Sequence, residues 1–258
     1  MYDKIICGDC IDEMNALPPE IARLVVADPP YFNVLKEDWD TAWQSEEEYL
    51  EWTQRWMLAA MRATLPGGLL FCFGQVGKRE HVMLHLMSQA AQSWHFHDLI
   101  IWDRAVGYND RRDSFTPAYE MILVLRKEGA ARFNKDAVRE PYAPEKIAQY
   151  ARDKRYKNAE ARMEHLQKGK YATNLWRIPS LKGNTKEKVG HPSQKPLALI
   201  ERIVLCASEP GDLILDPFLG SGTTAVVAQK LNRHWLGIES SPQYIAMAQG
   251  RIEKSTPE

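Results

Sequence analysis

The chain has 258 residues, of which 45% are hydrophobic and 26% charged, with a formal net charge of −1. That size suits one α/β domain with an inserted region or two small domains, with enough chain to bury a continuous core. No apolar run approaches a membrane span, Met1-Tyr2-Asp3-Lys4 lacks the apolar stretch of a secretory signal, and four cysteines are too few for a disulfide framework. A cytoplasmic protein with no membrane partner is the expectation.

In chain order, Lys4 to Cys7 reads as a strand and Ile11 to Leu17 as a short helix stopped by Pro18-Pro19. Leu24 to Ala27 is a short apolar run of the kind found in buried parallel strands. Ser45 with Glu48 resembles a capping box, and Tyr49, Trp52, Trp56, Ala60 and Met61 recur with helical period behind it. Pro66-Gly67-Gly68 is expected to end that helix, with a strand from Leu69 to Phe73. Val82 to Ala91 reads as a helix. Leu99 to Trp102 and Met121 to Leu125 read as strands of a hairpin with a long loop.

From about Arg132 to Gly190 apolar periodicity fades, and only Ala159 to Lys168 reads as helical. A connection this long inside a compact domain points to a functional insert. Between Arg126 and Lys195 there are 18 Lys and Arg against 8 Asp and Glu, so the remainder of the chain is acidic. A basic segment on an acidic body suits nucleic acid held by one region. Regular alternation then returns: a helix from Leu197 to Ser208, a strand from Leu213 to Leu215, a helix from Thr223 to Lys230, a strand from His234 to Ile238 and a helix from Pro242 to Ile252. Strands alternating with helices imply a parallel sheet with right-handed crossovers.

Three clusters carry chemistry. Asp216-Pro217-Phe218-Leu219-Gly220-Ser221-Gly222-Thr223-Thr224 lies between a strand and a helix, and Glu239 ends the next strand. Glycines at such a turn let backbone approach a ligand, helix N–H groups can bond it, and the acidic residue can accept ribose hydroxyls. Together they form a nucleoside-binding half-sheet, although G-x-G-x-x-G and the P-loop lysine are missing. Asp28-Pro29-Pro30-Tyr31 follows a buried strand and offers a carboxylate, carbonyls and a flat ring, a set suited to an exocyclic amine. In His191-Pro192-Ser193-Gln194-Lys195-Pro196, polar side chains and helix-terminal amides can bind a carboxylate. Cys7-Gly8-Asp9-Cys10 has no second metal-ligand pair to match it, and His81 with His85 lacks the H-E-x-x-H signature, so no metal is expected.

In this order the three clusters resemble the beta class of DNA amino-methyltransferases, in which D-P-P-Y precedes D-P-F-x-G-S-G-T and a target-recognition region lies between. The resemblance spans nearly the whole chain. It includes Ile6 to Cys10, Trp39-Asp40, Arg62 to Phe71, Ile101 to Arg104, Pro117 to Leu125, Asn174 to Pro179 and Tyr244 to Ile252. One departure is Tyr119-Glu120, where related enzymes often carry His-Glu near the target-base pocket.

The resemblance implies a doubly wound, mostly parallel α/β sheet of the S-adenosylmethionine-dependent methyltransferase (Rossmann-like) type, circularly permuted. A catalytic half (1–130), an inserted basic target-recognition region (131–190) and a cofactor-binding half (191–258) are expected. It implies methyl transfer from S-adenosyl-L-methionine, leaving S-adenosyl-L-homocysteine, to N6 of an adenine extruded from double-stranded DNA. Asp28, Pro29, Pro30 and Tyr31 would be catalytic. Asp28 and a proline carbonyl would hold the amine while Tyr31 stacks on the base. Asp9, Cys10, Asp28, His191, Ser193, Lys195, Pro196, Asp216, Phe218, Gly220, Ser221, Gly222, Thr223, Thr224 and Glu239 would hold the cofactor, with Lys195 at its methionine end. Arg104, Tyr119, Arg152, Lys154, Arg155 and Lys157 would contact DNA. A homodimer and a cognate restriction endonuclease are further expectations of the likeness. N4 of cytosine is the nearest rival target, although Asp rather than Ser at position 28 favours adenine. RNA or protein amines, a non-catalytic nucleic-acid-binding module and a nicotinamide dehydrogenase are weaker readings.

Overall fold

The computed structural model describes residues 2–32, 37–75, 82–107, 112–113, 115–152, 155 and 158–255. Among the described residues eight strands form one sheet: β1 (Lys4–Cys7), β2 (Ala22–Ala27), β3 (Thr64–Gly74), β4 (His95–Asp103), β5 (Tyr119–Arg126), β6 (Leu175–Arg177), β7 (Leu213–Asp216) and β8 (His234–Glu239). Their spatial order is β1-β8-β7-β2-β3-β5-β4-β6. Only β5 runs antiparallel to its neighbours, β3 and β4. The other pairings are parallel.

The helices are α1 (Cys10–Ala16), α2 (Glu46–Ala63), α3 (Val82–Ser93), α4 (Pro144–Ala151), α5 (Ala159–Lys168), α6 (Leu197–Ala207), α7 (Thr223–Lys230) and α8 (Pro242–Glu253). Strand residues alternate between two cores, as a period of two requires. Val25, Ala27, Leu70, Cys72, Leu123 and Leu215 face Met14, Trp56, Ala60 and Leu86 of α1 to α3. Leu24, Val26, Leu69, Phe71, Ile122 and Ile214 face Leu199, Ile203, Val227 and Ala248 of α6 to α8.

Helix α2 starts where the capping signal placed it, since the Ser45 side chain accepts from the Glu48 amide. Glu48 reaches back to the Gln44 amide, one residue beyond the usual partner. The helix ends at Ala63, before the expected Pro-Gly-Gly stop, and β3 begins at once. Pro66 is tolerated inside β3 because the register against β2 jumps from Ala22↔Thr64 to Leu24↔Leu69, so no ladder donor is needed there. Gly67 at φ 71 turns that bulge and donates to the Glu128 carbonyl.

Region 131–190 contains α4, α5 and β6, of which only α5 was legible. Strand β6 joins the edge of the main sheet, with Trp102 opposite Trp176. From there Ile178 and Ser180 donate to the carbonyls of Asp103 and Arg104, which leads the chain back past the carboxyl end of β4.

The crossovers part at β7 and β2, which pair as Leu24↔Ile214 and Val25↔Leu215. Helix α7 after β7 covers one face and α2 after β2 covers the other. Open α/β sheets form their ligand crevice at such a switch point.

Candidate active site

A cleft of about 340 Å³ opens over the carboxyl ends of β1, β2, β7 and β8. Its floor is the loop between β7 and α7. Gly220 (φ 49) and Gly222 (φ 76) lie in the left-handed region. A Cβ at Gly220 would stand 3.0 Å from His191 Nε2, and one at Gly222 would stand 3.0 Å from Ala248 Cβ. The Gly220 amide donates to Glu239 Oε2 at 2.9 Å, and the Ser241 amide donates to Oε1 at 2.9 Å. Arg251 of α8 braces the same loop, donating to Thr223 Oγ1 at 2.8 Å. Asp9 caps α1 by accepting from the Ile11 and Asp12 amides. The Phe218 ring lies edge-on to Trp56, 5.2 Å between centroids, and 5.8 Å from Trp52.

Burial sets the protonation of this cleft. Asp216 is raised to about 7, chiefly by desolvation and further by Asp28 and Glu239, although bonds from Thr224 and the Phe218 amide pull it down. Desolvation lowers His191 to about 4 and so keeps it neutral. Its Nδ1 accepts from the Ser193 amide. Desolvation and Asp9 push the Cys10 thiol up to about 12, which suits an inert wall rather than a thiolate.

Every residue expected at the cofactor lines this cleft except Pro196 and Gly222, which stand behind it as N-caps of α6 and α7. The cysteines are free thiols, and no cluster of three or more metal-ligating side chains occurs among the described residues. His85 pairs with Glu46, while His81 lies outside the described residues.

A second cavity of about 140 Å³ adjoins the first and is bordered by Pro29, Tyr31, Asp40, Trp102, Arg104 and Glu120. Asp28, Trp39 and Lys195 line both cavities. Tyr31 Oη donates to Asp28 Oδ1 at 2.6 Å, and Lys195 Nζ donates to Asp28 Oδ2 at 2.6 Å. Lys195 also donates to Tyr31 Oη at 3.2 Å and stands 3.6 Å from Glu120 Oε2. Burial draws the Lys195 ammonium down, but Asp28 and Glu120 outweigh it and the net displacement is upward. Burial, then Asp28 and Glu120, hold the Tyr31 phenol well above its ordinary range.

The aspartate-proline turn is held from behind. Asp40 Oδ1 accepts the Tyr31 amide at 2.6 Å, and Tyr49 of α2 donates to the Pro30 carbonyl at 2.7 Å. That second bond engages the Pro30 carbonyl; among the described residues none donates to that of Pro29.

Of the residues expected to contact DNA, Arg104 points inward and pairs with Glu120 Oε1 at 3.0 Å. This ion pair places its guanidinium at the border of the second cavity. Tyr119 is half-exposed at the start of β5, and Arg152 and Arg155 are exposed. Lys154 and Lys157 lie outside the described residues. The resemblance placed Tyr119-Glu120 near the target-base pocket and included Trp39-Asp40, but sequence reasoning assigned no site role to Glu120, Trp39, Asp40 or Tyr49. The signal for Glu120 was a carboxylate in the strand Tyr119-Glu120-Met121-Ile122, where an unpaired charge cannot be buried.

The sheet order and switch-point cleft are those of a Rossmann-like methyltransferase fold. The DNA methylase family model (N6_N4_Mtase) matches residues 22–250, and the chain belongs to that family. Type II methyltransferase M1.MboII of Moraxella bovis is 32% identical over 253 residues, with 95% of each chain covered. Among solved structures, the PvuII DNA methyltransferase, cytosine-N4-specific, superposes with a TM-score of 0.73 at 18% identity, covering 99% of this chain and 90% of that one. TTHA0409 of Thermus thermophilus, described as a DNA modification methylase and complexed with S-adenosyl-L-methionine, gives 0.67 at 22% identity, covering 98% and 94%.

Proposed function

We propose that this chain is a beta-class enzyme that moves a methyl group from S-adenosylmethionine to N6 of adenine in duplex DNA. The observation that carries the reading is the place of Asp28: it lies in the wall between a nucleoside-sized cleft and a smaller cavity and is exposed to both.

The residues present suit the donor. Glu239 and Asp9 offer acceptors for ribose and adenine, and the Trp52–Phe218 aromatic corner offers a flat wall. The indole N–H of Trp39 is buried without a partner where the cavities meet, a donor available to a ligand. When bound, S-adenosylmethionine supplies a methyl group made electrophilic by its sulfonium. The protein's part is positioning, which can contribute up to roughly 7–11 kcal/mol. Asp28 and the Pro29 carbonyl accept the two N–H bonds of the amine, which draws the nitrogen lone pair out of conjugation and stabilises the charge that builds there. Lys195 holds the Asp28 carboxylate in place. The Tyr31 hydroxyl is tied to Asp28, so its ring borders the base cavity as a wall.

Adenine is favoured over cytosine because position 28 is Asp, by the same resemblance that identified the motif. The likeness to a Type II methyltransferase adds the proposal that a cognate endonuclease reads the same site. Incubation with labelled S-adenosylmethionine and duplex DNA, followed by digestion and mass spectrometry, tests the reading. N6-methyladenine is expected. N4-methylcytosine would overturn the base assignment, and an unlabelled digest would overturn the activity.

A further inference from the structure

Behind the catalytic turn lies a carboxylate that positioning of the amine does not use. Glu120 is 4% exposed, at the start of β5, and borders the smaller cavity. Its Oε1 is held by Arg104 at 3.0 Å. Its Oε2 lies 3.3 Å from Tyr31 Oη, whose hydroxyl in turn donates to Asp28 Oδ1 at 2.6 Å. One phenol thus stands between two carboxylates, in hydrogen-bonding range of both.

We infer that Asp28, Tyr31 and Glu120 form a proton relay that carries the surplus proton of the methylated amine away from the donor cleft, with Glu120 as its terminal acceptor. This rests on the methyl-transfer reading above. As the nitrogen–methyl bond forms, the methyl–sulfur bond breaks and its electron pair stays on sulfur. The nitrogen then holds one proton too many. That proton passes to Asp28 Oδ1, Tyr31 gives its own proton to Glu120 Oε2 and takes the one from Asp28. Asp28 and Tyr31 end unchanged, and Glu120 ends neutral.

The surroundings suit this direction of travel. Lys195 Nζ donates to Asp28 Oδ2 and Tyr31 Oη and stands 3.6 Å from Glu120 Oε2, so it holds the relay members by charge and hydrogen bonds without supplying an acceptor. Burial and both neighbouring carboxylates keep the Tyr31 phenol from ionising, so it can only exchange one proton for another. Glu120 itself is nearly closed off, while its partner Arg104 is about a quarter exposed. Among the described residues, the other charged or titratable groups around the relay include Asp40 and Lys188, which border the same cavity, Asp216, which is raised to about 7 with Asp28 among its causes, the buried Cys72 thiol, and His191, which is neutral above about pH 4. Because a ring-bound ammonium is a strong acid, the proton leaves as the bond forms, and a blocked relay slows methyl transfer itself.

The test is single-turnover methyl transfer by Glu120→Gln, Glu120→Asp and Tyr31→Phe, from about pH 6 to 9. The substrate is duplex DNA carrying the methylated site with 2-aminopurine beside it as a fluorescent report of base extrusion. Glu120→Gln and Tyr31→Phe are expected to slow transfer at least about tenfold at neutral pH, within the range for general acid–base groups. The deficit should shrink as pH rises and solvent takes the proton. Glu120→Asp, which retains an acceptor, should stay within about threefold of wild type, and the fluorescence change should persist in every variant. Near-wild-type rates in Glu120→Gln and Tyr31→Phe would overturn the relay. So would a loss equal at every pH and accompanied by loss of the fluorescence change, which would mark packing alone. Failure of the underlying reading is distinct: the wild-type chain itself would then label no base.

Discussion

Replacing Lys195 by Met removes the ammonium that joins the two cavities. The residue is 7% exposed, and its nearest partner is Asp28 at 2.6 Å, with Glu120 at 3.6 Å. Deleting one partner of a buried pair costs about 3–5 kcal/mol, because the other is left as an uncompensated charge. Asp28 keeps its bond from Tyr31 and a fifth of its side-chain surface, so the lower end, about 3 kcal/mol, applies. For a chain of this size each kcal/mol shifts melting by about 2–4 °C, giving a fall of about 6–12 °C. Asp28→Asn alone leaves the ammonium facing a neutral amide, while the double variant removes both charges. Thermal unfolding followed by circular dichroism near neutral pH closes the cycle. The double variant is expected to melt higher than the sum of the single losses, with a coupling of about 1–3 kcal/mol. Melting of Lys195→Met within about 2 °C of wild type, together with strict additivity, would refute the claim that these charges hold each other.

Glu239→Ala should weaken S-adenosylmethionine binding in calorimetry by about 1.5–3 kcal/mol, the range for a hydrogen bond to a charged group; unchanged affinity would remove Glu239 from the ribose role. His191, lowered from 6.5 to about 4, contributes stability that is complete above pH 6.5 and is lost as pH falls toward 4, about 3 kcal/mol in all. Asp216, raised from 3.8 to about 7, contributes the opposite slope: its share is complete below 3.8 and is lost as pH rises through 7, about 4 kcal/mol. The two largely offset between pH 4 and 6.5. In urea unfolding series, His191→Gln should therefore gain stability relative to wild type as pH falls, and Asp216→Asn should lose it. Curves parallel to wild type would show that neither group titrates as its surroundings require.

The sheet was legible where one physical signal dominated. The apolar runs of β2, β5 and β7 have no polar face because both sides of the sheet are covered, and α2 and α5 begin at side-chain caps that stand in the sequence. Strand β6 was missed because Leu175-Trp176-Arg177 buries only Trp176, so no alternation exists over three residues. Start and bulge of β3 were missed because Pro66-Gly67-Gly68 gives the same signal at a helix stop and at a register break. Motifs located both cavities, since Asp28, Asp216 and Glu239 each lie at the end of a strand. The resemblance brought Tyr119-Glu120 near the base pocket, but the contacts of Glu120 with Arg104 and Tyr31, and the bond from Tyr49 of α2 to Pro30, exist only once the fold brings distant elements together. For Arg104 the ion pair with Glu120 becomes visible only where the ends of β4 and β5 meet.

The charge of the larger cleft also bears on which nucleoside it accepts. Among the described residues, Asp9, Asp28, Asp216 and Glu239 border it against one ammonium, that of Lys195; Asp216, raised to about 7, is only partly charged near neutral pH, and His191 is neutral. Asp28 and Glu239 are close enough to Asp216 to help raise it, so carboxylates already crowd the ends of β2, β7 and β8. A dinucleotide would bring phosphates into that field, where burial weakens solvent screening and like charges repel most strongly. A ligand that carries positive charge at its centre and hydrogen-bond donors on its ribose and adenine suits the same walls. That contrast favours a sulfonium nucleoside over a nicotinamide dinucleotide on electrostatic grounds, independently of any motif.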